Sequence, residues 1–400
     1  MTGTRERAGL QKLLVTCQIS LSLILLIGSL LFVRSFHNLM TLDPGFRQQG
    51  LLAVWLNFND ETIPKDKRMP LFYRMLQKIR SVPGIDSAAL VEHPPIGGSW
   101  SSDDVTVDDT KDKAATNVLA NCNRVSDGYF HTMNTQLVAG RDFNSHDTLA
   151  SPPVAIADEM FVSRFFHGRD PLGKTFHIEV GPGEKLRHYE IVGVVKNAKY
   201  ASLQRPLSPT MYLDEEQNPS PYSGHAFVVR SNLALAPAMS AIRAAMQNVD
   251  PHSTIQFRAM PTLIHDSVRR EDVLAKLSSI FGLLAVVLAT VGLYGVMSYI
   301  VAQRRNEIGI RMAVGANGPE IVKLMLNQST RLLLAGLIAG VILSLAVARV
   351  AKSLLFNLEP NDPATLISAI LGLTFVTAIA TLIPARRAAA LDPMTALREE

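Results

Sequence analysis

Four hundred residues with a formal net charge of only +4 lack the basic excess that nucleic-acid binding demands. Hydrophobic residues make up 48% and charged residues 18%, a moderate departure from soluble proteins, so the apolar material must be concentrated in particular segments. The two cysteines, Cys17 in an apolar run and Cys122 in a distant polar region, give no disulfide framework.

Residues 1–12 form a short N-terminal stretch carrying Arg5, Arg7 and Lys12, and residues 13–33 (LLVTCQISLSLILLIGSLLFV) follow without a charge. A helix rises about 1.5 Å per residue, so about 20 apolar residues cross a hydrocarbon core about 30 Å thick. The run is longer than the apolar region of a cleaved leader, and Arg34-Ser35-Phe36 offers no small-residue cleavage site. It reads as an uncleaved anchor.

Residues 34–275 mix helix and strand signals. Leu51–Phe58 reads as a strand, Pro70–Arg80 as a helix with Leu71, Met75, Leu76 and Ile79 on one face, and Ile85–Val91 as a second strand. The rhythm returns in Ala226–Arg230, Ala236–Asn248 and Thr254–Phe257, with shorter strand-like runs between, notably Val154–Ala157 and Tyr189–Val195. The pattern predicts two βαβ-like halves framing a β-rich insert.

No enzyme is legible in this region. Gly168-Arg169-Asp170-Pro171-Leu172-Gly173-Lys174-Thr175 satisfies the phosphate-loop pattern, but that loop must leave a strand and open a helix. Here Val162–Phe166 before it reads as helix and Phe176–Val180 after it as strand, the reverse order. His131, His146, His167, His177 and His188 show no metal-ligand spacing, so no metal site is expected. Asp103, Asp104, Asp108 and Asp109 read as solvated acidic loop.

Residues 276–400 hold three further apolar runs, at about 280–302, 330–350 and 364–383, none with a central charge. Intramembrane ionisable groups mark proton and ion relays, so their absence argues against a self-powered transporter. Gly336 and Gly340 form a small-xxx-small pair continued by Ser344, a surface for helix packing or dimerisation. Arg304, Arg305, Arg311 and Lys323 flank the second and third runs, and Arg386, Arg387 and Arg398 follow the fourth. Short-loop arginines stay on the cytoplasmic side, so both termini and the segment from Gln303 to Lys323 are expected there, with residues 34–275 outside. In that segment the helix closes at Gly315 and the next begins at Pro319. Glu307 and Arg311 support the first helix at i,i+4, and Ile308 and Ile310 sit among charges as a docking surface would.

YGVMSYIVAQRRNEIGIRMAVGA (294–316) and PARRAAALDPMTALREE (384–400) resemble the FtsX/MacB-type ABC transporter permease domain. VSDGYFHTMNTQLVAGRDF, DPLGKTF and YEIVGVVKNAKY resemble that family's extracytoplasmic domain, so the likeness covers essentially the whole chain. The wording is closest to the second half of duplicated permeases of acidobacteria, which makes the chain a half-length member or a separated half. The resemblance implies an α-helical membrane protein with four transmembrane helices plus an α+β extracytoplasmic domain of porter-like and Sabre-like parts, the type VII architecture. It implies residence in the cell inner membrane, no cofactor bound directly, and ATP used through a partner ABC ATPase subunit. It further implies a homodimer or pairing with a related permease half, admits a periplasmic adaptor, and leaves no role for nucleic acid. Contact with the ATPase would fall on Arg305, Glu307, Ile308, Gly309, Arg311, Gly315 and Ala316. The expected function is coupling of that ATPase to motion of the outer domain, for export or mechanotransmission. The competing expectation is a membrane regulator of a cell-wall enzyme.

Overall fold

The computed structural model describes residues 2–57, 64–108, 118–178, 186–219, 224–303, 310, 318–350 and 362–389. The chain divides into two units, Met1–Thr41 with Arg269–Glu400, and Leu42–Val268.

The first unit is a bundle of long helices: α1 (Thr2–Met40), α7 (Arg269–Gln303), α8 (Gly318–Val350) and α9 (Pro363–Ala389). Each carries a stretch long and apolar enough to span a bilayer. The helices outrun the apolar runs that announce them, because charged turns such as Arg34–Met40 and Arg269–Lys276 continue the hydrogen-bond ladder without adding to hydropathy. The spanning stretch of each helix is apolar all round, and part of it is buried. On α1 the buried stripe is Val15, Ile19, Leu23, Ile27 and Leu31, at four-residue spacing, while Leu14, Leu21 and Leu25 face outward. On α7 it includes Gly282, Ala285 and Ala289, whose small side chains admit a close neighbour.

The second unit begins with β1 (Leu51–Asn57), α2 (Lys65–Arg80) and β2 (Ile85–Val91). It ends with β10 (Ala226–Ser231), α5 (Leu235–Gln247), β11 (Thr254–Ala259) and α6 (Met260–Ser267). The two βαβ-like halves do not stand apart. They interleave into one antiparallel sheet, β11-β1-β10-β2, because β10 enters between β1 and β2. Phe72, Met75, Leu76 and Ile79 of α2 and Ala238, Ile242 and Met246 of α5 pack on Val54, Leu90, Phe227 and Val229 to make its core. Helix α2 starts earlier than its apolar periodicity, since its first turns are polar, and it accommodates Pro70.

The insert comprises β3 (Ser101–Val107), β4 (Val118–Val125), α3 (Tyr129–Met133), β5 (Leu137–Gly140), β6 (Val154–Asp158), α4 (Glu159–Phe166), β7 (Thr175–Ile178), β8 (Arg187–Val195) and β9 (Thr210–Asp214). Pairing runs β4-β3-β7-β8-β6-β9 and returns from β9 to β4, closing a six-stranded barrel. Alternate residues point inward: Val105, Val107, Phe176, Ile178, Tyr189 and Ile191 fill it together with Phe161, Phe165 and Phe166 of α4. Sheet and barrel join at Val91↔Val125, extended by the paired bonds His93 N–H to Asn123 Oδ1 (3.1 Å) and Asn123 Nδ2–H to His93 O (2.9 Å). Arg230 locks the sheet to its surroundings, donating to the carbonyls of Thr132, Gln49 and Arg47 at 2.7, 2.9 and 2.9 Å.

Candidate functional site

The interior of the bundle carries the arrangement that bears on function. Among the described residues, 13–33, 280–302, 332–348 and 364–383 contain no Asp, Glu, Lys, Arg or His. Several of the polar groups present bond to the helix backbones. Ser22 Oγ donates to Ala285 O at 2.9 Å, and the Gln18 amide donates to Leu288 O, both from α1 to α7. Ser344, Thr377 and Thr381 bond back to their own helices at 2.9, 2.6 and 2.9 Å. Nothing in this set passes a proton or an ion along a chain of titrating groups.

Gly336 and Gly340 lie against α1. A Cβ built on Gly336 would sit 2.7 Å from Ile19 Cγ2 and 2.8 Å from its Cβ, and one on Gly340 would sit 2.9 Å from Leu23 Cδ2. The small face of α8 is thus filled within one chain, by the buried stripe of α1. Charged groups bracket the spans. Arg34, at the end of α1 that leads into Leu42, pairs with Asp362, whose carboxylate also accepts from Thr365 N–H (2.9 Å) and so caps α9. At the other end of α9, Arg387 donates to the Tyr294 hydroxyl of α7 at 3.2 Å. Lys12 from α1 and Glu320, Lys323, Asn327 and Arg331 from α8 line an open recess of about 630 Å³. Arg305, Glu307, Ile308, Gly309, Arg311, Gly315 and Ala316 lie outside the described residues.

The phosphate-loop look-alike is a tight connection from α4 to β7. Its backbone donors are used locally: Leu172 N–H on Asp170 Oδ1 (3.1 Å), Gly173 N–H on Ile191 O (2.9 Å) and Lys174 N–H on Pro171 O (3.1 Å). A phosphate cradle needs those donors free and a helix starting beyond them. Gly168 and Gly173 serve left-handed turns, at φ of 76° and 71°.

One constellation is invisible in linear spacing. His177 on β7 stands opposite His188 on β8, and Asp108, directly after β3, reaches both. Asp108 Oδ1 lies 2.5 Å from His177 Nδ1 and Oδ2 lies 3.0 Å from His188 Nδ1. Burial works to raise the Asp108 pKa, but hydrogen bonds from Thr175, His177 and His188 outweigh it and hold the carboxyl below its usual range. The expectation of isolated histidines and a plain acidic loop is therefore corrected. On β7 Phe176 and Ile178 are buried in the barrel, which leaves His177 outward, and the strand order brings its partners.

A bundle of charge-free spans, with a large folded domain inserted between the first and second, defines a multi-pass membrane protein. The family comparisons make the class specific. The MacB-like periplasmic core domain matches residues 13–248 and the FtsX-like permease C-terminal domain matches residues 279–393. The chain belongs to the MacB/FtsX-type family of ABC transporter permeases. It is 25% identical over 407 residues to the macrolide export ATP-binding/permease protein MacB of Agrobacterium fabrum, covering 95% of this chain and 58% of that protein. It is 29% identical over 295 residues to the uncharacterized ABC transporter permease YknZ of Bacillus subtilis, covering 70% of each. Of the MacB of Psychrobacter arcticus it spans 43%. Among solved structures, the periplasmic region of MacB from Actinobacillus actinomycetemcomitans aligns with 55% of this chain and 92% of its own at 16% identity, with a TM-score of 0.39.

Proposed function

We propose that this chain is a permease subunit whose work is done by ATP hydrolysed on a separate ABC ATPase, and that its spans relay that work to the outer domain. The observation that carries the reading is the bundle interior: four spans without Asp, Glu, Lys, Arg or His, closed by glycine and serine contacts, in a chain of the ABC permease family. Such a bundle transmits a change of helix packing and has no ion gradient to draw on. The short-loop arginines support an inner-membrane orientation with both termini and the segment Gln303–Lys323 in the cytoplasm. In that orientation Arg305, Glu307, Ile308, Gly309, Arg311, Gly315 and Ala316 meet the ATPase, and Leu42–Val268 lies outside. Assembly is as a homodimer or with a related permease half, and a periplasmic adaptor is a further partner of the outer domain. Export is favoured over control of a cell-wall enzyme, since the MacB relatives are named for macrolide export.

The test is co-purification of an ATPase with the full chain from native membranes, followed by nucleotide hydrolysis in lipid. Glu307→Lys and Arg311→Glu should each abolish the association and the stimulated hydrolysis while leaving the chain in the membrane. Normal coupling in both variants would remove the loop from the mechanism.

A further inference from the structure

We propose that Asp108, His177 and His188 form a binding site for a borderline divalent cation, zinc(II) in particular, on the outer wall of the barrel. The fold builds the site from register. Thr106 pairs with His177 and His177 pairs with His188, so Asp108, two residues beyond Thr106 and on the same outward face, stands diagonal to both histidines. Inward neighbours Val107, Phe176 and Tyr189 are buried at 3%, 0% and 1% exposure, which anchors each ligand's backbone in the core. The Asp108 carboxylate sits between the two Nδ1 atoms, and one ligand atom from each residue falls within 4.8 Å of the others.

Ligands of a tetrahedral zinc at about 2.0–2.1 Å stand about 3.3 Å from one another. Small torsional adjustments therefore close the set, and His188, with 59% of its side chain exposed, is free to make them. Asp108 and His177 are more sheltered, at 26% and 20%. Thr175 hydrogen-bonds the Asp108 carboxylate, the kind of outer partner that holds a metal-bound carboxylate in place. Two imidazole nitrogens and one carboxylate oxygen suit zinc, copper(II) or nickel(II), whereas calcium and magnesium require mostly oxygen donors. Three protein ligands leave one position for water, which the exposed wall supplies. The ring centroids of His177 and His188 are 5.2 Å apart, so one ion can reach a nitrogen of each. One cation held by all three residues joins β7 and β8 to the end of β3.

The experiment uses the full chain in detergent with its purification tag removed. The protein is stripped with chelator and titrated with zinc chloride in a calorimeter, and cobalt(II) is added separately to read coordination from visible absorption. One zinc per chain is expected, with cobalt giving the intense bands of a tetrahedral site. His177→Ala and His188→Gln should each weaken zinc about a hundredfold and Asp108→Asn at least about tenfold. Zinc should raise the melting temperature of the wild type and not of the variants. All three positions face outward, so each variant should still fold, and its zinc response is read against its own metal-free melting temperature. A wild type that takes up no zinc, or histidine variants that bind it as tightly as the wild type, overturns the proposal.

Discussion

Glu215 and His225 meet with both side chains fully buried, Oε1 3.0 Å from Nε2, at the seam between barrel and sheet. Glu215 opens the turn after β9 and His225 immediately precedes β10, so the pair fastens the two halves of the outer unit. Asn218 Nδ2 donates to the same carboxylate oxygen at 2.9 Å, and the His225 ring lies against Phe72 at 4.9 Å. Removing one partner of a buried pair strands the other, at a cost of about 3–5 kcal/mol, whereas replacing both with apolar groups is often close to neutral. Glu215→Ala and His225→Ala should each destabilise the outer unit by about that much, and Glu215→Leu with His225→Phe should be milder than either. Both tryptophans, Trp55 and Trp100, belong to this unit, so thermal unfolding followed by tryptophan fluorescence reads it selectively. A double variant as damaged as the sum of the singles would refute the coupling.

Gly336 tests the packing of α8 on α1. Its missing Cβ would strike the branched carbon of Ile19, which cannot rotate away as a flexible side-chain end would. Overpacking of this kind costs about 1–3 kcal/mol. Gly336→Ala should lower the melting temperature in detergent, and Ile19→Ala in the same chain should recover part of the loss. Gly295, with open space where a Cβ would go, provides the control: Gly295→Ala should not destabilise.

Arg34 and Asp362 separate two effects in one carboxylate. The ion pair is exposed on the arginine side, 44% against 16%, and is worth less than about 1 kcal/mol. The cap on α9 is worth about 0.5–2 kcal/mol. Asp362→Asn keeps an oxygen acceptor for Thr365 N–H, so it should lose less stability than Asp362→Ala, and Arg34→Ala should lose least. Equal losses for the two Asp362 variants would mean that capping contributes nothing.

Two buried acids set a pH dependence for the outer unit. Burial pushes Asp158 up to about 7, against hydrogen bonds from Thr210 and Phe161, and pushes Asp214 up to about 8. Unfolded carboxylates release their protons near about 4. Between these limits the folded state binds more protons than the unfolded chain, so stability falls as pH rises from about 4 to about 8 and levels beyond. Melting temperatures measured across that range should decline, and Asp158→Asn with Asp214→Asn should flatten the curve. A flat wild-type profile would contradict the assignment.

The spans were legible because hydropathy over a long run is a property of the run itself. Strands such as Val154–Asp158 and Arg187–Val195 were legible because burial writes itself into Val and Ile. Ser101–Val107 (SSDDVTV) was not: its first half is polar, and it becomes a strand because β4 and β7 flank it. The same limit hid Asp108, His177 and His188. Their meeting depends on strand order, which no local pattern encodes. The phosphate-loop look-alike was correctly set aside, because its failure is local: helix before and strand after, with Gly173 N–H already taken by Ile191.

The closure of the barrel restricts how another polypeptide can attach to this unit. Among the described residues each strand of the ring is paired on both sides, so a partner cannot extend the ring by adding a strand, whereas β5 pairs with β8 off the ring. In the sheet, among the described residues β11 pairs with β1 alone, and the exposed Thr254 and Gln256 leave its outer margin polar. Recognition at the ring itself is then by side chains on its wall and loops, a mode in which a single substitution can change the choice of partner without disturbing the fold.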